Sequence, residues 1–469
     1  MTKLASYHIP GLYVEDHVTK VPLDWRGRSI STGERAGERG GIGTGVNSAL
    51  PGTADRSRLP DRLAMSSIDL FYRVVCDPER KNDDLPLLLF LQGGPGNRSP
   101  RPLNATDDGW IAQAAKRFRI ILPDQRGTGR SSRVDGALIS GFDETAYAAA
   151  YLKRFLADSI IRDFEYLRRT QFDGRRWVTL GQSYGGFLTL TYLSLFPGAV
   201  QASFVTGGIP GIDAHADDVY ARTFPRVRAK TEAFYERYPQ DMERVVHVVD
   251  QLVAGKAKLP NGDILTQRRF QTLGSDFGMK PSFERLHWLL DEAFDARGAL
   301  SDGFLTNVFT RLTTAPNPLY WTLQEFIYAN GECGPIRWSA QREWERRPEF
   351  DPSNRPLLFT GEMSFPFMFD EDSTLRPFKP AVEMLMQDGA WGNIYDAARL
   401  ADNDVPLQAA IYHDDMYVPS DLSLDSLARI GAAHAWVTNE FEHDGVHGDV
   451  VFDRLYRMAL DRGDLDGVR

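Results

Sequence analysis

The most constraining stretch of the sequence is Trp177 to Phe196, WVTLGQSYGGFLTLTYLSLF. It opens with a short apolar run of strand character, turns sharply through Gly181-Gln182-Ser183-Tyr184-Gly185-Gly186, and continues as an apolar helix with no breaker before Pro197. A G-x-S-x-G match carries chemical meaning in this strand–turn–helix setting, because the turn holds a serine hydroxyl at its tip in a strained backbone conformation. Glycines flank that serine where strand and helix pass too closely for side chains. Ser183 is therefore the candidate nucleophile; the competing reading is a glycine-rich turn that happens to contain a serine.

The chain around this turn alternates strand and helix patterns. Leu85–Leu91, Phe118–Leu122 and Ala202–Thr206 are continuous apolar runs, as in strands buried on both faces. Helical patterns at 110–116 and 146–169 separate them. This rhythm implies right-handed β-α-β units and a mostly parallel sheet. From about 211 to 346 helical, aromatic and charged patterns replace it. The sheet pattern is then expected to return at Pro356–Thr360, Leu407–Tyr412 and Ala435–Phe441, before a final helix near 450–461. The expected organisation is an α/β core over 1–210, an inserted helical cap over 211–346, and the second part of the core over 347–469. Within the first part, 30–62 is rich in Gly, Ser, Arg, Thr and Asp, has almost nothing to bury, and reads as a mobile surface loop.

Composition excludes several classes. A net charge of -10 with no long basic run argues against nucleic acid or an anionic membrane as partner. No stretch reads as a membrane span or a signal peptide, so a cytoplasmic location is expected. Cys76 and Cys333 have neither metal-type spacing nor a disulfide framework, and neither metal nor cofactor is expected.

A serine hydroxyl is a weak nucleophile until a base takes its proton and an acid orients that base. In hydrolases built on this turn, acid and histidine follow the serine, each after a late strand. After 407–412 come Asp414 and Asp415, of which Asp415 is favoured. After 435–441 come His443 and His447, of which His443, nearer the strand end, is favoured. The loop Leu91-Gln92-Gly93-Gly94-Pro95-Gly96 follows a buried strand where the second oxyanion donor belongs, the first being the N–H of Tyr184.

Three motifs, LQGGPG at 91–96, DQRGTGRS at 124–131 and GQSYGG at 181–186, together resemble the prolyl aminopeptidases (proline iminopeptidases). These are serine peptidases of the α/β-hydrolase fold. WSAQRE at 338–343 and TGEMSFPFMF at 360–369 resemble the longer members of that group. The resemblance implies an α/β-hydrolase core with an inserted helical cap, a Ser183–Asp415–His443 triad, and an oxyanion hole at Gly94 and Tyr184. It makes Asp124 and Arg126 structural braces. Two departures stand out: the segment at 30–62 is an insertion relative to the family, and Gln92 stands where histidine is common.

An aminopeptidase must recognise a free N-terminal ammonium, whose reference pKa is about 8, and a buried carboxylate is its natural partner. Glu325, Glu332 and Glu362 are the candidates, with Asp370 and Glu371 behind them. Glu362 is favoured because it follows the expected strand at 357–360. Phe365, Phe367, Phe369, Tyr320 and Trp321 are candidate walls for a proline ring. The expected activity is release of an N-terminal residue, preferentially proline, from peptides through an acyl-enzyme. The alternatives are an esterase or amidase of the same fold and, further off, an inactive binding protein.

Overall fold

In the computed structural model, residues 2–30, 59–255 and 257–468 are described. Most of the segment at 30–62 lies outside them. The core is a nine-stranded sheet in the order β1-β2-β3-β5-β4-β6-β7-β8-β9. β1 (Thr2–Ile9), β2 (Leu12–Pro22) and β3 (Ser67–Cys76) pair antiparallel, and β3 pairs antiparallel with β5 (Arg119–Pro123). From β5 onward the neighbours run parallel: β4 (Leu87–Leu91), β6 (Trp177–Gln182), β7 (Val200–Thr206), β8 (Leu407–Tyr412) and β9 (Ala433–Thr438).

The strand period of two explains why the central runs are apolar at every position. Leu87, Leu89 and Leu91 of β4 enter one core, while Leu88 and Phe90 enter the other. The helix Tyr184–Leu195 covers the first face with Phe187, Leu188 and Leu190. The C-terminal helix Val450–Asp461 covers the second with Val451, Phe452 and Leu455.

Between β7 and β8 the described chain adds no strand to the sheet. It builds helices, the longest being Ala216–Arg237. The expected strand at 356–360 is not one. Those residues run extended inside this helical insertion, where Thr360 N–H donates to the Gln271 carbonyl and Gln271 Nε2 to the Leu358 carbonyl. An apolar run that satisfies its backbone against a side chain and a loop reads like a strand in sequence, although no sheet neighbour receives it.

Beneath the catalytic edge, Arg126 and Asp163 form an ion pair with both side chains fully buried. Arg126 Nε donates to Asp163 Oδ2 at 2.7 Å, and its Nη atoms reach the carbonyls of Pro22, Leu23 and Arg154. Trp25 Nε1 donates to Asp163 Oδ1 at 2.8 Å. A guanidinium presents five N–H donors in a fixed fork, and here the fork ties β2, the 124–131 loop and the helix Ala157–Gln171 together. Asp124 plays the matching role one turn away, accepting from Ser99 N–H, Arg101 and Arg130 N–H. Both residues brace rather than react. Replacing one partner strands the other as a buried charge, so Arg126→Met is expected to lower unfolding free energy by about 3–5 kcal/mol in a urea titration followed by tryptophan fluorescence.

Candidate active site

The residue at the tip of the β6 turn carries the strain the motif demands. Ser183 sits at φ 55°, ψ -124°, a conformation that a side-chain-bearing residue rarely adopts. Two close approaches hold it there. A Cβ at Gly185 would stand 1.9 Å from the Leu91 carbonyl oxygen, and one at Gly208 would stand 2.2 Å from the Ser183 carbonyl oxygen. The Ser183 N–H donates to Thr206 O at 3.0 Å. The ends of β4, β6 and β7 therefore converge on one serine, which is 8% exposed.

Of the two histidines in the loop after β9, His443 is the one that meets an acid. Its Nδ1 lies 2.7 Å from Asp415 Oδ2, and the residue is 3% exposed. The other oxygen of Asp415 accepts the N–H groups of Tyr417 and Val418, which fixes the carboxylate. His443 Nε2 is buried and has no hydrogen-bond partner. A Cβ at Gly207 would lie 3.2 Å from His443 Nδ1, and its neighbour Gly208 touches Ser183, so the end of β7 separates base and nucleophile by one dipeptide. His447 instead points to Asp108 at 3.2 Å with its side chain 53% exposed, and Asp414 pairs with His413 at the surface. Burial opposes charge on His443, yet the adjacent Asp415 carboxylate outweighs it and leaves the imidazole above its ordinary 6.5.

The loop carrying Gly94 lies against the serine. A Cβ at Gly93 would come within 3.1 Å of the Ser183 Cβ, Gly94 adopts φ 137°, and Gln125 Nε2 anchors the loop through the Gln92 carbonyl at 2.7 Å.

The three candidate amine-binding glutamates diverge. Glu362 receives a hydrogen bond from the Tyr320 hydroxyl, and burial pushes its carboxyl up to about 7, against the pull of His443 and Tyr320. It is thus close enough to the triad to feel it. Glu325 is buried and accepts the N–H groups of Ser339 and Ala340 at 2.8 and 2.9 Å, capping the helix Ser339–Glu345; burial lifts it to about 8. Glu332 is exposed. Asp370 pairs with Lys379, and Glu371 with Arg268. Among the aromatics, Phe365 stacks on Phe367 and meets Trp344 at a tilt, and Phe369 packs on Trp338. Tyr320 offers its hydroxyl rather than only a wall.

Several groups in this cluster could not be read from the sequence. The Gln324 side chain is buried beside Glu362, and the buried hydroxyls of Tyr184, Tyr220 and Tyr395 have no hydrogen-bond partner. Tyr220 and Tyr328 both sense Glu325 and Glu362. Buried polar atoms are nearly always satisfied, so Tyr220, which senses Glu325 and Glu362 and has an unpartnered hydroxyl, stands out. Among the described residues, no group of His, Cys, Asp or Glu is arranged to hold a metal, and no helix is long and apolar enough to cross a membrane.

A strained serine at a strand–helix turn, with a carboxylate-bound histidine carried on a later loop, is the arrangement of a serine hydrolase of the α/β-hydrolase fold, and residues 86–249 match the family model described as alpha/beta hydrolase fold. Two relatives narrow this. A proline iminopeptidase of Aeromonas sobria is 40% identical over 84% of this chain and 92% of its own length. A proline iminopeptidase of Aspergillus aculeatus is 32% identical over 83% of this chain and 87% of its own. The chain belongs to the proline iminopeptidase family.

The base must be neutral to accept a proton, so a raised histidine pKa moves the acid limb of activity upward. On an ester substrate without an amine, kcat/KM is expected to rise through an ionisation above 6.5. Asp415→Asn removes the anion and leaves burial, so the residual activity should titrate at lower pH, with kcat reduced on the order of 10⁴-fold. A pH–rate profile of both proteins checks this.

Proposed function

We propose that this protein is a serine exopeptidase that releases an N-terminal residue, preferentially proline, from peptides through an acyl-enzyme. The observation that carries the reading is Glu362. A carboxyl group shielded near the catalytic histidine has a tyrosine hydroxyl as its hydrogen-bond partner rather than a lysine or arginine. Burying a carboxylate without a cation is costly, and a substrate ammonium supplies the missing charge. An esterase acting on an uncharged acyl group has no use for such a group.

The chemistry follows from the geometry. His443 Nε2, free of other partners, takes the proton of Ser183 as its oxygen attacks the carbonyl of the first residue. Asp415 holds the imidazole by Nδ1, which leaves Nε2 free to act on the serine. The oxyanion is received by the N–H groups of Gly94 and Tyr184. His443 then gives its proton to the departing amine, and a water deprotonated by the same histidine hydrolyses the ester. Glu362 anchors the ammonium and leaves no room for a preceding residue, which makes the cleavage exopeptidic. Glu325 is taken up by the backbone N–H groups of Ser339 and Ala340, and Glu332 and Phe365 take no direct part.

Proline β-naphthylamide is expected to be cleaved and its N-acetylated counterpart not, with Ser183→Ala as blank; equal cleavage of both would overturn the aminopeptidase reading. Glu362→Gln keeps the shape and removes the charge. It should lower kcat/KM for the free-amine substrate on the order of 10- to 100-fold while sparing a simple acyl ester, as befits loss of one charge-assisted hydrogen bond.

A further inference from the structure

The nucleophile and the acid are positioned by the sheet and its own loops. Ser183 is fixed between β6 and its helix, and Asp415 by the N–H groups of Tyr417 and Val418. The loop that carries the base is held differently. The His443 N–H donates to the Gly278 carbonyl at 3.0 Å. The Lys280 N–H donates to Asp444 Oδ1 at 3.0 Å, and Lys280 Nζ to the Glu440 carbonyl at 2.7 Å. Lys230, on the helix Ala216–Arg237, pairs with Glu442. The Tyr417 hydroxyl bonds the Ser275 carbonyl, and the ring meets His443 edge-on with centroids 4.7 Å apart. Apart from the ring of Tyr417, which follows β8, these contacts come from the helical insertion between β7 and β8.

The contacts are not equal. Those of Lys280 are exposed, where a polar link contributes little. The Lys230 and Glu442 side chains are each only 13% exposed, and Glu442 is the residue immediately before His443. A shielded charge pair loses far more than a surface one when a partner is removed.

We propose that Lys230 is a positioning residue: by holding Glu442 it seats His443 against Gly278, so that the helical insertion sets the catalytic base in register as well as covering the site. Lifting the insertion to admit a peptide would then disarm the base, and reseating would restore it. The inference rests on His443 being the base.

The test is steady-state kinetics on the full chain with proline β-naphthylamide, for Lys230→Met, Lys230→Arg, Glu442→Gln and the double variant Lys230→Met/Glu442→Gln. Small displacements of a reacting group are costly in rate, so Lys230→Met should lower kcat about 10-fold or more while KM moves less than about twofold. Lys230→Arg should recover most of the loss. The double variant should be no worse than the poorer single, because both act through one pair. If Lys230→Met does not fold, Glu442→Gln, of nearly unchanged shape, gives the same kcat-specific loss. A kcat within about twofold of the parent in Glu442→Gln, a loss confined to KM, or additive losses in the double variant would each overturn the proposal. His443→Ala is the control: full activity there would instead remove the base assignment beneath it.

Discussion

Everything at the catalytic edge depends on how closely β4, β6 and β7 approach at their C-terminal ends. Ser183 can be held at φ 55° only because its neighbours lack side chains at the points of contact, and because Thr206 and Gly208 press on its backbone from β7. Such a conformation is unfavourable by itself and persists where surrounding packing over-determines it. Here the packing is the whole sheet, buried on both faces, with helices on either side and the Arg126–Asp163 pair locking the loops beneath. The nucleophile's exposure is thus a property of the core.

The site divides its labour between two kinds of structure. The sheet delivers the nucleophile, the oxyanion loop and the acid, all from strand ends that cannot move independently. The helical insertion delivers Tyr320, Gln324 and Glu325, and the stretch after its extended segment brings Glu362 to Tyr320, near His443. On the proposed reading, chemistry that many hydrolases share comes from the first and selectivity from the second. This division explains why the fold alone does not determine a substrate.

The legibility of these parts in the sequence follows the range of the interactions that build them. Ser183 and its turn are local, so twenty consecutive residues disclosed strand, strain and helix together. The alternation of β4, β5, β6 and β7 with helices was equally plain, because strands buried on two faces are apolar throughout. Asp415 and His443 could be placed on their loops, but what separates them from Asp414 and His447 is which side chain turns inward, and that is set by their contact with each other and, for His443, with Gly278 far away in the chain. The segment 357–360 looked like a strand because burial of an extended run is all that a pattern of apolar residues records. Glu325 and Glu362 looked alike as letters. One caps a helix fourteen and fifteen residues on, while the other takes a single hydroxyl from Tyr320. No spacing rule distinguishes them.

The Tyr320–Glu362 contact has a consequence for what binding does to the charge of the site. A carboxyl poised at about 7 beside a neutral hydroxyl is protonated in a sizeable share of molecules at neutral pH. On the proposed role of Glu362, an arriving ammonium would favour the ionised form, and its capture would release a proton to solvent. The pocket would then work as an ion exchanger, trading one positive charge for another.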